Sequence, residues 1–184
     1  MAVRGKVTQQ DVNDKPAKAL RDEIRMRGKA LNEAGLIKKY KPQDILKTDF
    51  IYLPIPENWC WVKLSDLGEF LGGGTPSKSN PKYWNGDIPW VSPKDMKVSY
   101  LIDSQDHISE QAFSNSSAQP IPVDSVLIVV RGMILAHSFP SAINKKVVAI
   151  NQDMKALNLV VKELSEYLLL ATQALKEFIL EKVN

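Results

Sequence analysis

Residues 72–95, GGGTPSKSNPKYWNGDIPWVSPKD, crowd four of the chain's nine glycines and four of its eleven prolines into one short interval. Proline removes a backbone donor, and glycine weakens helices and strands from within. No helix and no long strand can therefore run through this stretch. It must be a shaped loop, with room for one short strand at IPWVSP (88–93), bounded by Pro89 and Pro93. The same interval holds two tryptophans, a tyrosine and three lysines, but neither His nor Cys. Such a loop is stiff, aromatic and basic without an obvious catalytic side chain.

Fold signals lie on either side of it. PAKALRDEIRMRGKALNEA (16–34) predicts a helix. Pro16 stands where a first turn tolerates it, Leu20, Ile24 and Leu31 share a face with Ala17 and Ala34 nearby, and Gly35 supplies a stop. The arm that follows, LIKKYKPQDILKTDFIYLPIPENW, has no clear period and is punctuated by Pro42, Pro54 and Pro56, as a connector would be. WVKLSDLGEFLGG (61–73) predicts a short strand, a turn or short helix around Ser65–Asp66, and a strand that stops at the glycines. Beyond a polar stretch (108–122), SVLIVVRG (125–132) predicts a buried strand, being too short for a buried helix and rich in β-branched residues. KKVVAIN (145–151) and MKALNLVV (154–161) predict two more.

Residues 163–183, ELSEYLLLATQALKEFILEKV, predict one long helix. Leu164, Leu168, Ala171, Leu175 and Ile179 form one apolar stripe, and Tyr167, Leu170, Ala174 and Phe178 a second beside it. So wide an apolar face asks for more partner than one small domain supplies. The expected class is α+β. An N-terminal helix and basic arm (1–50) would precede a mostly-β globular domain with short helices (51–161), followed by the start of a long helical spacer (162–184). The end at Asn184, with no Gly cap, suggests a truncated fragment.

The net charge of +3 is too small to argue for nucleic acid by itself, but its distribution is informative. Residues 1–50 hold twelve Lys+Arg against seven Asp+Glu, whereas residues 98–130 hold four acids and no Lys or Arg. The segments 75–97 and 131–155 together hold eight basic residues and three acids. The basic charge of the globular part is thus confined to two loop-rich segments, either a phosphate-contacting patch or a solvated surface.

Catalytic signals are thin. His107 and His137 stand far apart, and neither has a Cys or carboxylate at metal-ligand spacing, so neither a metal site nor a catalytic residue is expected. Ser138 beside His137 is not a triad. Gly72–Lys78 fails the phosphate-loop spacing, and Pro76 removes a donor that a cradle needs. Cys60, the single cysteine, excludes a disulfide framework and fits a reducing compartment. No apolar run reaches signal-peptide or membrane-spanning length, so the expectation is a soluble, cytoplasmic protein with no membrane partner. In the loop, Thr75, Ser77, Ser79 and Asn80 offer short polar groups and Lys78, Lys82 and Lys94 offer charge. Tyr83, Trp84 and Trp90 would anchor it on the core. This pattern suits a ligand-binding loop.

Several blocks then carry a family likeness. They are Leu53-Pro54, Trp59-x-Trp61-Val62-x-Leu64, Gly73-Gly74-Thr75-Pro76-Ser77, Asn80-Pro81-x-Tyr83-Trp84, Gly86-Asp87-Ile88-Pro89-Trp90-Val91 and Pro93-Lys94-Asp95. Ser125-Val126-Leu127-Ile128 leading to Arg131-Gly132, Ala149-Ile150-Asn151-Gln152-Asp153-Met154-x-Ala156-Leu157, Tyr167-Leu168-Leu169 and Lys176-Glu177-Phe178-Ile179 follow in order. Together they resemble the target recognition domain of the DNA-specificity subunit of type I restriction-modification systems, over about residues 50–182.

The resemblance implies a non-catalytic subunit with two recognition domains, each reading one half of a bipartite site in double-stranded DNA. Long antiparallel helices would hold the domains apart and bind two modification (methyltransferase) subunits. Those partners use S-adenosylmethionine to methylate adenine, and restriction subunits join them and hydrolyse ATP with Mg. No cofactor is therefore expected on this chain. Its length accommodates one recognition domain, as the first half of a longer subunit or as a half-length subunit that pairs with itself. Base-reading residues diverge between the shared blocks, so candidates follow from charge and loop position. Lys78, Lys94, Arg131, Lys145 and Lys146 are the expected charged DNA contacts, and Thr75, Ser77, Asn151 and Gln152 the polar ones. Arg131 would either reach guanine or pair with Asp87 or Asp153. Leu164, Tyr167, Leu168, Ala171, Leu175, Phe178 and Ile179 would meet partner helices. The contrasting expectation is a protein-interaction scaffold on the same fold that does not read DNA.

Overall fold

The computed structural model describes residues 11, 13–45 and 54–181. The chain divides into two units, Met1–Glu69 and Phe70–Asn184. The end of the predicted basic arm (46–50), Leu53 of the first family block and the end of the predicted terminal helix (182–183) lie outside the described residues.

In the first unit, helix α1 (Ala17–Glu33) begins directly after Pro16, and Gly35, at φ 72, turns the chain out of it. Ile24 is buried and Leu31 half-buried, while Leu20 is 38% exposed, so the core stripe is narrower than the spacing implied. Gly28 is required by close packing: a Cβ there would stand 2.3 Å from Cζ of Tyr40. The Tyr40 hydroxyl donates to the Asp66 carbonyl at 2.7 Å. Asp66, only 1% exposed, sits in the short helix α2 (Leu64–Leu67). Its carboxylate accepts from Arg25 Nη2 at 2.8 Å and from the Gln43 N–H at 2.7 Å. A buried carboxylate is tolerated because it is paired and hydrogen-bonded.

The described residues from Gly68 onward form eight strands and three α-helices. In chain order they are β1 (Gly68–Gly72), β2 (Ile88–Val91), β3 (Tyr100–Leu101), β4 (Asp106–Ile108), α3 (Glu110–Asn115), β5 (Val126–Val129), β6 (Ser141–Asn144), β7 (Ala149–Ile150), β8 (Met154–Leu159), α4 (Ser165–Ala174) and α5 (Lys176–Leu180). The boundary between the units falls inside β1. Five strands form one sheet in the order β1-β8-β5-β6-β3, and three form another in the order β4-β2-β7. β5 is antiparallel to both β6 and β8, whereas β3 runs parallel to β6 and β2 parallel to β7. The main core gathers Val91, Leu101, Ile121, Leu127, Val129, Val148, Ile150 and Met154. A second cluster places Trp90, Ile108, Ala112, Ala118 and Ala149 together, with Tyr83, Trp84 and Phe113 packed on it. The expected α+β class, mostly β in its globular part, holds.

Several sequence expectations are corrected. Trp61–Lys63 forms no strand; Lys63 is the extended residue that enters α2, whose turn is pinned by the Asp66 hydrogen bonds. KKVVAIN is not one strand. Buried Asn144 closes a turn by donating from Nδ2 to the carbonyls of Pro122 (2.9 Å) and Lys146 (2.8 Å), leaving Lys145–Val147 exposed between β6 and β7. The long terminal helix is interrupted at Leu175 (φ −94, ψ 8). The first segment, α4, buries Leu168, Leu169 and Thr172, and Thr172 Oγ1 reaches Ser141 Oγ of β6 at 2.9 Å; α5 buries no residue fully. β3, β4, α3 and β6 fall where no regular element was expected.

Candidate nucleic-acid interface

The glycine loop is held by close backbone approach. A Cβ on Gly73 would fall 2.1 Å from the Asn151 carbonyl oxygen, and one on Gly74 would fall 2.1 Å from Ser117 Oγ. The Gly74 N–H donates to the Ile150 carbonyl at 2.9 Å, and the Gly74 carbonyl accepts from Trp90 Nε1 at 2.9 Å. Trp90 is buried, and Trp84 meets it edge-on with ring centroids 5.1 Å apart. Trp84 Nε1 also donates to the Ser77 carbonyl at 3.1 Å. The aromatic residues thus fix the loop on the core, as expected, and its polar side chains stay outside.

Fixing the loop brings distant residues together. Thr75 Oγ1 donates to Gln152 Oε1 at 2.5 Å. Arg131 Nη2 donates to the Gln152 carbonyl at 2.5 Å, and the guanidinium lies 3.6 Å from Asp153, one of its two expected acidic partners. The arginine remains 62% exposed, so its other donors face solvent. The N–H groups of Val130 and Arg131 both donate to the Asp153 carbonyl, at 2.8 and 3.2 Å. Asn151 is mostly committed inward: it is 7% exposed, its N–H donates to Val91, and its Oδ1 accepts from the Asp153 N–H at 3.0 Å. Ser77 Oγ lies 2.7 Å from Ser79 Oγ, and Lys78 beside it is exposed. Lys94, also exposed, lies in the turn that leaves β2. Because β2 and β7 run parallel, that turn and the 151–153 turn leave from the same end. Thr75, Lys94, Arg131 and Gln152 therefore share one end of the domain, while Ser77 and Lys78 follow two and three residues beyond Thr75.

Lys145 and Lys146 are not with them. Lys145 follows β6, beside the start of β5, whereas Arg131 follows the end of β5. Six residues of extended chain separate those levels, about 20 Å. Lys145 is also engaged: its Nζ lies 2.8 Å from Asp124 and 3.9 Å from Glu166, and 5.4 Å above the Tyr100 ring. The Asp124 hydrogen bond holds its ammonium above the usual lysine range. The Tyr100 hydroxyl donates to Glu166 at 2.7 Å, which pushes the phenol upward.

Of the expected partner-facing residues, Leu168 is buried within its own unit, and Leu164, Ala171, Leu175 and Ile179 are half-buried. Tyr167 and Phe178 are exposed, at 46% and 36%, and Leu170 beside them at 59%. Sequence reasoning missed Gln119, whose Nε2 secures the Gly72 carbonyl at 2.7 Å, and Lys155, whose Nζ lies beside Gly72. Neither carries a local signal, because each acts on a loop far away in sequence. Among the described residues no group of three His, Cys, Asp or Glu is arranged to hold a metal.

The sequence pattern of the type I restriction modification DNA specificity domain matches residues 56–184. The chain belongs to that family. Among similar proteins, the type I restriction enzyme EcoR124I/EcoR124II specificity subunit of Escherichia coli is 48% identical over 98 residues, covering 53% of this chain and 24% of that protein. The MjaIX specificity subunit of Methanocaldococcus jannaschii is 34% identical over 132 residues, covering 68% of this chain and 29% of that protein. The chain thus spans about a quarter of the length of the curated relatives it matches. The HsdS subunit of Thermoanaerobacter tengcongensis aligns with a TM-score of 0.44 at 17% identity, over 87% of this chain and 37% of its own.

Proposed function

We propose that this DNA specificity domain reads one half of a bipartite DNA site as part of a non-catalytic specificity subunit. The observation that carries the reading is the convergence of Thr75, Gln152 and Arg131 from three loops, with Lys94 at the same end and exposed Lys78 three residues along the chain from Thr75. Short polar groups and an arginine suit base edges, and flexible lysines suit phosphates. Lys145 and Lys146 fall outside this face. The exposed Tyr167, Leu170 and Phe178 meet a second spacer helix and the modification subunits of a cytoplasmic type I complex. Methyl transfer from S-adenosylmethionine and ATP hydrolysis with Mg belong to the modification and restriction partners. No helix among the described residues is long and apolar enough to cross a membrane.

The test is methylome sequencing of cells that express the full-length gene with its modification partner. Methyladenine should appear in a motif of two short blocks with a fixed gap, and exchange of residues 53–160 for those of a relative should change one block only. A complex that assembles yet adds no methylation would refute the reading and favour a scaffold that does not read DNA.

A further inference from the structure

The turn that follows Arg131 has no part in the contacts described so far. Gly132 adopts φ 113, a left-handed value that glycine permits, and opens a 3-10 turn over Met133–Ala136. The turn is pinned from below. Leu135 is buried in the main core, its N–H donates to the Gly132 carbonyl at 3.1 Å, and the N–H groups of His137 and Ser138 both donate to the Ile134 carbonyl. On this anchored base stands Met133, 92% exposed, the most exposed large apolar side chain among the described residues.

A lone exposed apolar residue is ordinary on a protein surface. The position of Met133 is what separates it from that case. Arg131 is tied by backbone to Asp153 and by side chain to Gln152, so Met133 rises two residues from the cluster proposed to read bases. The other candidate contacts at that end are polar or cationic. The floor of the major groove offers one apolar group, the C5 methyl of thymine. A methionine, unbranched and polarizable, adapts well to such a contact.

We infer that Met133 is a specificity-determining residue that packs against a thymine methyl in the major groove of the half-site. The inference rests on the DNA-reading function proposed above. It requires an A·T pair in the half-site next to the position served by Arg131 and Gln152.

The experiment uses the full-length subunit in complex with its modification subunits and the duplex identified by its methylation pattern. Each thymine of the half-site is replaced in turn by deoxyuridine, which removes the methyl alone. One replacement should weaken binding about fourfold. Met133→Ala should bind the parent duplex at least about fourfold more weakly and become indifferent to that same replacement, while Met133→Leu keeps the sensitivity. The side chain is exposed, so neither variant threatens folding. A wild-type complex that prefers its site but ignores every uracil overturns the inference and leaves DNA reading intact, as does a Met133→Ala complex that retains full sensitivity. A complex with no site preference overturns both.

Discussion

Gly73→Ala tests whether the loop is positioned by backbone contact. The added Cβ would stand 2.1 Å from the Asn151 carbonyl oxygen, 2.2 Å from that of Ile150 and 2.6 Å from the Ile150 carbonyl carbon. All three are main-chain atoms, and neither residue can retreat cheaply. The Asn151 N–H is bonded to Val91 at 2.9 Å, and the Ile150 oxygen accepts from Gly74 at 2.9 Å. Relief requires a shift of about 1 Å, which breaks the Gly74 bond. Overpacking of this kind costs about 1–3 kcal/mol and the lost hydrogen bond about 1 kcal/mol, so the expected loss is about 2–4 kcal/mol. Gly72→Ala is the internal control. Its new Cβ meets only Lys155 Nζ, at 3.2 Å, the far end of a flexible side chain, so its cost should stay under about 0.5 kcal/mol. Neither glycine lies in the left-handed region, so backbone strain does not enter. Urea unfolding followed by far-ultraviolet circular dichroism measures both variants. The same 1 Å shift would separate Thr75 from Gln152, so Gly73→Ala should also lose DNA selectivity. Equal stability of the two variants would refute the view that backbone approach at Gly73 sets the loop.

Two further predictions follow from charge. Lys78→Ala combined with Lys94→Ala should lower the slope of log K against log salt by up to about 1.8, at 0.9 per phosphate contact, whereas Lys145→Ala combined with Lys146→Ala should leave it unchanged; an equal loss from both pairs would contradict the assignment of the DNA face to the Arg131 end. In the first unit, the hydrogen bond from Arg25 holds the Asp44 carboxyl below the usual carboxylate range. Its contribution to stability is therefore present above about pH 4 and lost as pH falls through the depressed folded value. Melting temperatures across the acid range should fall less steeply for Asp44→Asn than for the wild type, and parallel curves would count against the pairing.

Much of the fold could be read from local pattern. The run SVLIVVRG reads as a strand because β-branched residues fill it, and Pro16 and Gly35 bracket α1 as helix ends should. β3 and β4 escaped because they are only two and three residues long and are defined by neighbours far away in sequence. β6 escaped because SAIN has no β signature of its own; buried Asn144 and the pairing with β5 make it a strand. The terminal helix shows the converse failure. Its apolar period continues through Leu175, but Thr172 ties α4 to Ser141 while Leu180 of α5 packs on the main core, and the helix breaks between them. The candidate site was legible as a set of residue types and only partly as a place. Charge pooled along the sequence put Arg131 and Lys145 in one basic segment, and the antiparallel β5–β6 pairing sends them to opposite ends.

The parallel pairing of β2 with β7 also sets a schedule for the nascent chain. Thr75 and Gln152 are 77 positions apart, and the glycine loop has no seat until Ile150 and Asn151 exist. At about 5–20 residues per second, translation leaves the loop waiting about 4–15 seconds. Throughout that interval Trp90 lacks Ala149, and with it one wall of its burial. A chaperone that binds aromatic segments should meet this chain through residues 83–91, and release it only when β7 has been made.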